Sequence, residues 1–146
     1  MLIRKIKSSE KPAALELVLS VFMKYEAPDY SEEGVKTFQD SVMNNSDYLN
    51  AITIYGAYEN GNIIGVIATR NEGNHIALFF VDSKYHRSGV GRKLFELVLK
   101  NSTTNEITVN SSPYAVEVYH HLGFIDSDAE QITDGMRYTP MVYKKF

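Results

Sequence analysis

The chain has 146 residues, 44% of them hydrophobic, and a formal net charge of -3. That is the size and balance of one compact domain spanning 1–146, with no room for a second. The absence of cysteine excludes a disulfide framework, a thiolate zinc site and a cysteine nucleophile, and mild acidity without a dense Lys/Arg run argues against nucleic acid as a partner.

The opening stretch MLIRKIKSSE alternates apolar Leu2, Ile3 and Ile6 with charge and lacks the long apolar centre of a signal peptide. The longest strongly apolar run, 76–81, is too short to cross a bilayer. A cytoplasmic protein with no membrane partner is therefore expected. Residues 2–7 read as a short strand. Ser9 is placed to cap a helix whose Leu15, Val18, Leu19 and Phe22 recur on one face. A second helix is expected after Ser31, with Glu32 and Glu33 in its first turn and Val35, Phe38 and Val42 facing inward. Residues 51–70 form two β-rich runs around Asn60-Gly61, a hairpin signal. HIALFFVD, 75–82, is dense enough in apolar residues for a central strand buried on both faces. A helix over 89–101, a strand over 106–110, a helix over 113–122 and β structure near 136–145 complete an α/β chain, a mixed sheet with helices on it.

Chemistry concentrates in two stretches. YHRSGVGRKLFELVLKN, 85–101, follows the central strand and opens a helix, so Gly89 and Gly91 lie where unpaired backbone N–H groups and the helix dipole attract anions. Arg87 and Arg92 add charge at the rim. The spacing fits neither a Walker loop nor a dinucleotide fingerprint, which would need a third glycine where Leu94 stands. In VNSSPYAVEVYHHLGF, 109–124, Ser112 is the expected N-cap, Pro113 the first helical residue and Gly123 the helix end. Ser112, Ala115, Tyr119 and Leu122 then share a face.

In this order and separation, FFVDSKYHRSGVGRKL and SPYAVEVYHHLGF resemble the pyrophosphate loop and the tyrosine helix of the GNAT superfamily of N-acetyltransferases. The resemblance implies a central, mostly antiparallel mixed sheet of about six to seven strands flanked by about four helices. It implies acetyl-CoA as co-substrate and no metal. The backbone of Phe79, Phe80 and Val81 would pair with the pantetheine arm as an added strand, and His86, Arg87, Ser88, Gly89, Val90, Gly91 and Arg92 would hold the pyrophosphate. Ser112 would lie near the cofactor arm, and Tyr119 would protonate the leaving thiolate. The chain departs from the family pattern at His86, where a Gln or Arg is usual, and at Ser112, where an Asn is usual.

An alkylamine with a pKa of about 10.4 is neutral in roughly one part in a few thousand at pH 7, so its proton must be removed. Where some relatives carry a glutamate before the tyrosine helix, Ile107 stands, with Glu106 out of phase. His75 is the first candidate base, directly or through water. His120 and His121 are assigned no role. The resemblance places an acceptor wall between the first two helices, with Phe22, Glu26 and Asp29 as substrate-binding residues. Over 26–47 six carboxylates stand against the single Lys36, so a cationic small-molecule or peptide amine is the expected partner. Exposed strand edges and a tyrosine-rich C-terminus suggest a homodimer. The expected activity is direct acetyl transfer through a ternary complex; the alternative is a non-catalytic CoA-binding or interaction domain of the same fold.

Overall fold

The computed structural model describes residues 1–145. In chain order its elements are β1 (Leu2–Lys5), α1 (Lys11–Val21), α2 (Glu32–Phe38), α3 (Ser46–Ala51), β2 (Thr53–Glu59), β3 (Asn62–Arg70), β4 (His75–Val81), α4 (Val90–Asn101), β5 (Glu106–Ser111), α5 (Val116–Leu122), β6 (Ile125–Asp126), β7 (Gln131–Thr133) and β8 (Met136–Lys144). The eight strands form one mixed sheet in the order β1-β2-β3-β4-β5-β8-β6, with β7 also on β8. Every pairing is antiparallel except β4 with β5. This is the expected architecture with three short elements added: α3, β6 and β7 carry too few periodic residues to stand out in a sequence.

Each face of the sheet buries its own core. Ala14, Val18 and Phe22 of the first helical region and Phe38 of α2 pack with Ile54, Val66, Leu78 and Phe80 on one side. Leu94, Phe95 and Val98 of α4 and Tyr119 and Leu122 of α5 pack with Ile67, Ile76, Ile107 and Val109 on the other. Ile76 and Leu78 reach opposite cores although two residues apart. Ala68 pairs with Leu78 and Thr69 with Ile76, leaving Ala77 as the extra residue of a bulge.

Local starts differ from expectation at two helices. Ser9 caps nothing: it lies in a 3₁₀ turn, Ser8–Glu10. There the Glu10 carboxylate accepts from the Lys7 backbone N–H at 2.7 Å and from Arg4 at 2.8 and 2.9 Å. α5 begins at Val116 rather than 113. The Ala115 N–H donates to both the carbonyl and the hydroxyl of Ser112, so the serine closes a turn instead of starting the helix. Ser31 does cap α2, accepting from Gly34 N–H at 3.2 Å, and Gly123 ends α5 at φ 107.

Candidate active site

β4 and β5 are paired only at His75 with Thr108 and Ile76 with Val109. Beyond that point the strands part, and the fork between them is the floor of a cavity of about 310 Å³. Phe79, Val81, His86, Arg87, Gly91, Tyr114, Ala115 and Tyr119 line it. The central strand is therefore not buried equally on both faces: Leu78 and Phe80 are buried, while Phe79 and Val81 are only half-buried beside the opening. Its free edge is polar. Asp82 N–H donates to Ile64 at 2.8 Å, so by antiparallel alternation the backbone groups of Phe80 point to β3 and those of Phe79 and Val81 point into the fork. His86 has taken one of them, its Nε2–H donating to the Val81 carbonyl at 2.7 Å. That leaves the Phe79 N–H and C=O and the Val81 N–H facing the cavity.

The loop from β4 to α4 turns through left-handed backbone at Arg87 (φ 63) and at Gly89 (φ 89), the helix N-cap. Val90, Gly91 and Arg92 present N–H groups with no intrahelical acceptor, and the alternating turn concentrates them into an anion-binding concavity. A Cβ on Gly91 would stand 3.4 Å from Phe79 Cζ, on the cavity side, whereas one on Gly89 would meet only open space. Glycine is therefore needed at Gly89 for its backbone angle, whereas at Gly91 a Cβ would make ordinary contact with Phe79 and would only narrow the cavity. Ser88 donates its hydroxyl to the Tyr85 carbonyl. The Arg87 side chain is exposed at the mouth. The Arg92 guanidinium instead donates to the His121 carbonyl at 3.0 Å, tying α4 to the end of α5, so the rim charge expected of it is engaged elsewhere.

Opposite the loop, Tyr119 is 5% exposed, with its ring edge-on to Phe79 at 5.8 Å and Phe124 at 5.2 Å. Burial, assisted by the charge of Glu26, pushes its phenol well above the usual range. Ser112 is buried at the head of the α5 turn. α1 runs on into a wide turn over Phe22–Glu26 that brings Tyr25 to 5.1 Å from both the His86 and the Tyr114 rings. These three rings bridge the turn after α1, the loop before α4 and the segment leading into α5. Next to them, Glu26 is partly exposed, and burial pushes its carboxyl up to about 7; Asp29 adds to the rise and the Ser112 hydroxyl opposes it. Tyr30, raised by burial and by Glu26 and Asp29, stands on the same wall.

Two expected residues lie elsewhere. Phe22 is 0% exposed and stacks on Phe38 at 3.8 Å, so it lies in the core and cannot touch a substrate. His75 sits at the closed end of the fork, outside the cavity lining, with Nδ1 2.8 Å from Thr108 Oγ1; burial, then Arg70, lowers it to about 4. Tyr25 and Tyr114 are the residues that sequence reasoning missed. Tyr114 lies inside the quoted motif, but nothing local marks Tyr25 as its neighbour. Among the described residues no group of three or more His, Cys, Asp or Glu side chains could hold a metal ion, and no helix is long and apolar enough to cross a membrane.

The acetyltransferase (GNAT) domain family matches residues 26–145. No curated protein matches the chain in sequence. A GCN5-related N-acetyltransferase from Rhodopseudomonas palustris superposes with a TM-score of 0.82 at 19% identity, covering 98% of this chain and 94% of its own. The PaiA N-acetyltransferase of Thermoplasma acidophilum, solved in complex with coenzyme A, gives a TM-score of 0.75 at 20% identity and covers 98% of each chain. A GNAT-family acetyltransferase from Staphylococcus aureus Mu50 gives 0.74 at 19% identity, covering 99% of each.

Proposed function

The chain belongs to the GNAT family of acetyltransferases, and from that premise we propose that it moves an acetyl group from acetyl-CoA directly to a primary amine, with a cationic small molecule or peptide as acceptor. The observation that carries the reading is the alignment of three features along one fork: the open backbone edge at Phe79 and Val81, the N–H concavity at the start of α4, and the Tyr119 phenol. The residues present fit the co-substrate. Gly91 has no side chain where the arm would pass, and the loop offers backbone donors where a pyrophosphate would lie. CoA bound to the T. acidophilum protein supports the assignment.

Acetyl-CoA would supply the activated thioester. Phe79 and Val81 would align the pantetheine amides as an added strand, in the manner of edge-strand augmentation. Arg87 and the N–H groups of Val90, Gly91 and Arg92 would hold the pyrophosphate. Tyr119, kept protonated by burial, would return a proton to the departing sulfur. With no cysteine in the chain, no acyl-cysteine route exists, so transfer proceeds within a ternary complex. Tyr30, Tyr114, Asp29 and the acidic residues of α2 support a cationic acceptor, since aromatic faces and carboxylates both favour an ammonium.

The test is thiol release from acetyl-CoA over a panel of amines, with CoA binding titrated separately. Acetylation of polyamines or lysine peptides, and a turnover loss of about 10²-fold or more in Tyr119→Phe at unchanged CoA affinity, are the expected results. CoA binding without thiol release for any amine would point to the non-catalytic binding domain.

A further inference from the structure

We propose that His86 is a positioning residue for the co-substrate: its imidazole N–H fixes the anion-binding loop to the end of β4, and the Tyr25 ring, from outside the cavity, holds that imidazole in place. This rests on the CoA-binding part of the reading above. Val81 ends β4, and its carbonyl points into the fork, where no strand pairs with it. His86 supplies the missing donor through Nε2–H at 2.7 Å. The imidazole therefore stands where the N–H of a neighbouring strand would stand, and the Phe79 backbone and the Val81 N–H remain for the arm.

The loop needs such an anchor. It leaves β4 through a 3₁₀ turn, Ser83–Tyr85, which the Asp82 carboxylate starts by accepting from the Lys84 N–H at 2.9 Å. The His86 backbone N–H closes the turn on the Ser83 carbonyl at 3.3 Å. Arg87 then enters the left-handed region at φ 63. A non-glycine residue stays there only where its surroundings over-determine it, and the bond to Val81 fixes the residue immediately before it. With Arg87 placed, Gly89 turns the chain into α4, and the N–H groups of Val90 and Gly91 converge on one concavity.

Tyr25 reaches this anchor from the first helical region. In the wide turn over Phe22–Glu26 the Ala27 N–H bonds to the Phe22 carbonyl, one residue further back than in an α-helix. That turn presents Tyr25 to the imidazole at 5.1 Å between ring centres, and to Tyr114 at 5.1 Å. Lys24 adds a second tie, with Nζ 5.3 Å from the Tyr25 ring centre and 3.4 Å from the Ser83 hydroxyl. Tyr25 does not line the cavity, while His86 and Tyr114 do, so its influence on CoA passes through one of those two rings. A glutamine at this place could donate to Val81 but would have no ring for Tyr25 to hold. Histidine does both.

The experiment titrates CoA calorimetrically into the parent, His86→Ala, His86→Gln, Tyr25→Leu and the double variant Tyr25→Leu/His86→Gln, with circular dichroism melts showing that each is folded. His86→Ala should weaken CoA by about 10-fold or more, since it leaves the Val81 carbonyl without its donor and the loop without its anchor. His86→Gln should recover most of that loss. Tyr25→Leu should weaken CoA by about 3-fold or more beside His86 and not at all beside a glutamine, the non-additivity of two groups that act in series. In protein labelled with ¹⁵N-histidine, one Nε2–H signal, absent from His86→Gln, should persist when CoA is added. Unchanged affinity in folded His86→Ala, no recovery in His86→Gln, a Tyr25→Leu effect that survives in the double variant, or loss of the Nε2–H signal on adding CoA overturns the proposal while leaving the acetyltransferase reading intact. Failure of the parent protein to bind CoA overturns that reading, and this inference with it.

Discussion

At the scale of the residue, position along a strand decides what a titratable group can do. His75 stands where β4 and β5 are still paired, so its imidazole is boxed between Thr108 and the charge of Arg70, and its pKa falls from 6.5 to about 4. The unfolded chain therefore binds this proton first. The contribution of His75 to stability is complete above pH 6.5 and is lost progressively as pH falls toward 4. We expect His75→Gln to flatten the decline of melting temperature between pH 6.5 and 4 and to leave turnover near the parent value, as measured by thermal melts across that range and by thiol release at pH 8. A large loss of turnover in a folded variant would return His75 to the reaction. Glu26 is the reverse case: a carboxyl raised to about 7 by burial, with Asp29 adding to the rise.

At the scale of the element, α2 owes its position to two glycines that touch backbone to backbone. A Cβ built on Gly34 would overlap the Gly135 carbonyl oxygen, and one on Gly135 would fall on the Gly34 backbone and 2.8 Å from Ser31 Oγ. Thr37 adds a hydrogen bond of 2.7 Å to the Asp134 carbonyl. The helix that carries the acidic wall is thereby clamped onto the turn between β7 and β8. Gly34→Ala should cost about 1–3 kcal/mol, the usual penalty of overpacking. Because the clamp lies away from the phosphate loop, it should also raise KM for the amine without changing CoA affinity. Equal amine KM values in Gly34→Ala and the parent, by steady-state kinetics, would separate α2 from the acceptor site.

At the scale of the molecule, the sheet is two blocks joined by a short parallel seam. β1 to β4 carry one block, and β5, β8, β6 and β7 the other. A CoA laid along the fork would bridge them. Ligand at 100 times its Kd stabilises by about 2.7 kcal/mol, which for a chain of this size corresponds to a rise of about 5–10 °C in Tm. Gly91→Val should abolish that rise while leaving the melting temperature of the free protein near the parent value, because the added branch enters the cavity rather than the core. A full CoA-induced shift in Gly91→Val, read by differential scanning calorimetry, would place the arm elsewhere.

What the sequence determined by itself was whatever depends on near neighbours in the chain. Helix faces, the Asn60-Gly61 hairpin, the Ser31 cap and the glycine-rich start of α4 all arise from interactions within a few residues, so residue order alone specifies them. Motif spacing likewise marked the phosphate loop and Tyr119, since both are contiguous signatures. Tertiary structure decided what depends on distant strands meeting: the fork exists because β5 leaves β4 after two paired residues. That divergence puts Phe79 and Val81 at an opening, leaves His75 sealed at the seam, and lets Tyr25 meet Tyr114 from far away in the chain. Phe22 went into the core for the same reason, because the ring that stacks on it, Phe38, belongs to another helix. A side chain's burial, and with it its pKa, is set by atoms from other elements, and no local pattern encodes which elements those will be.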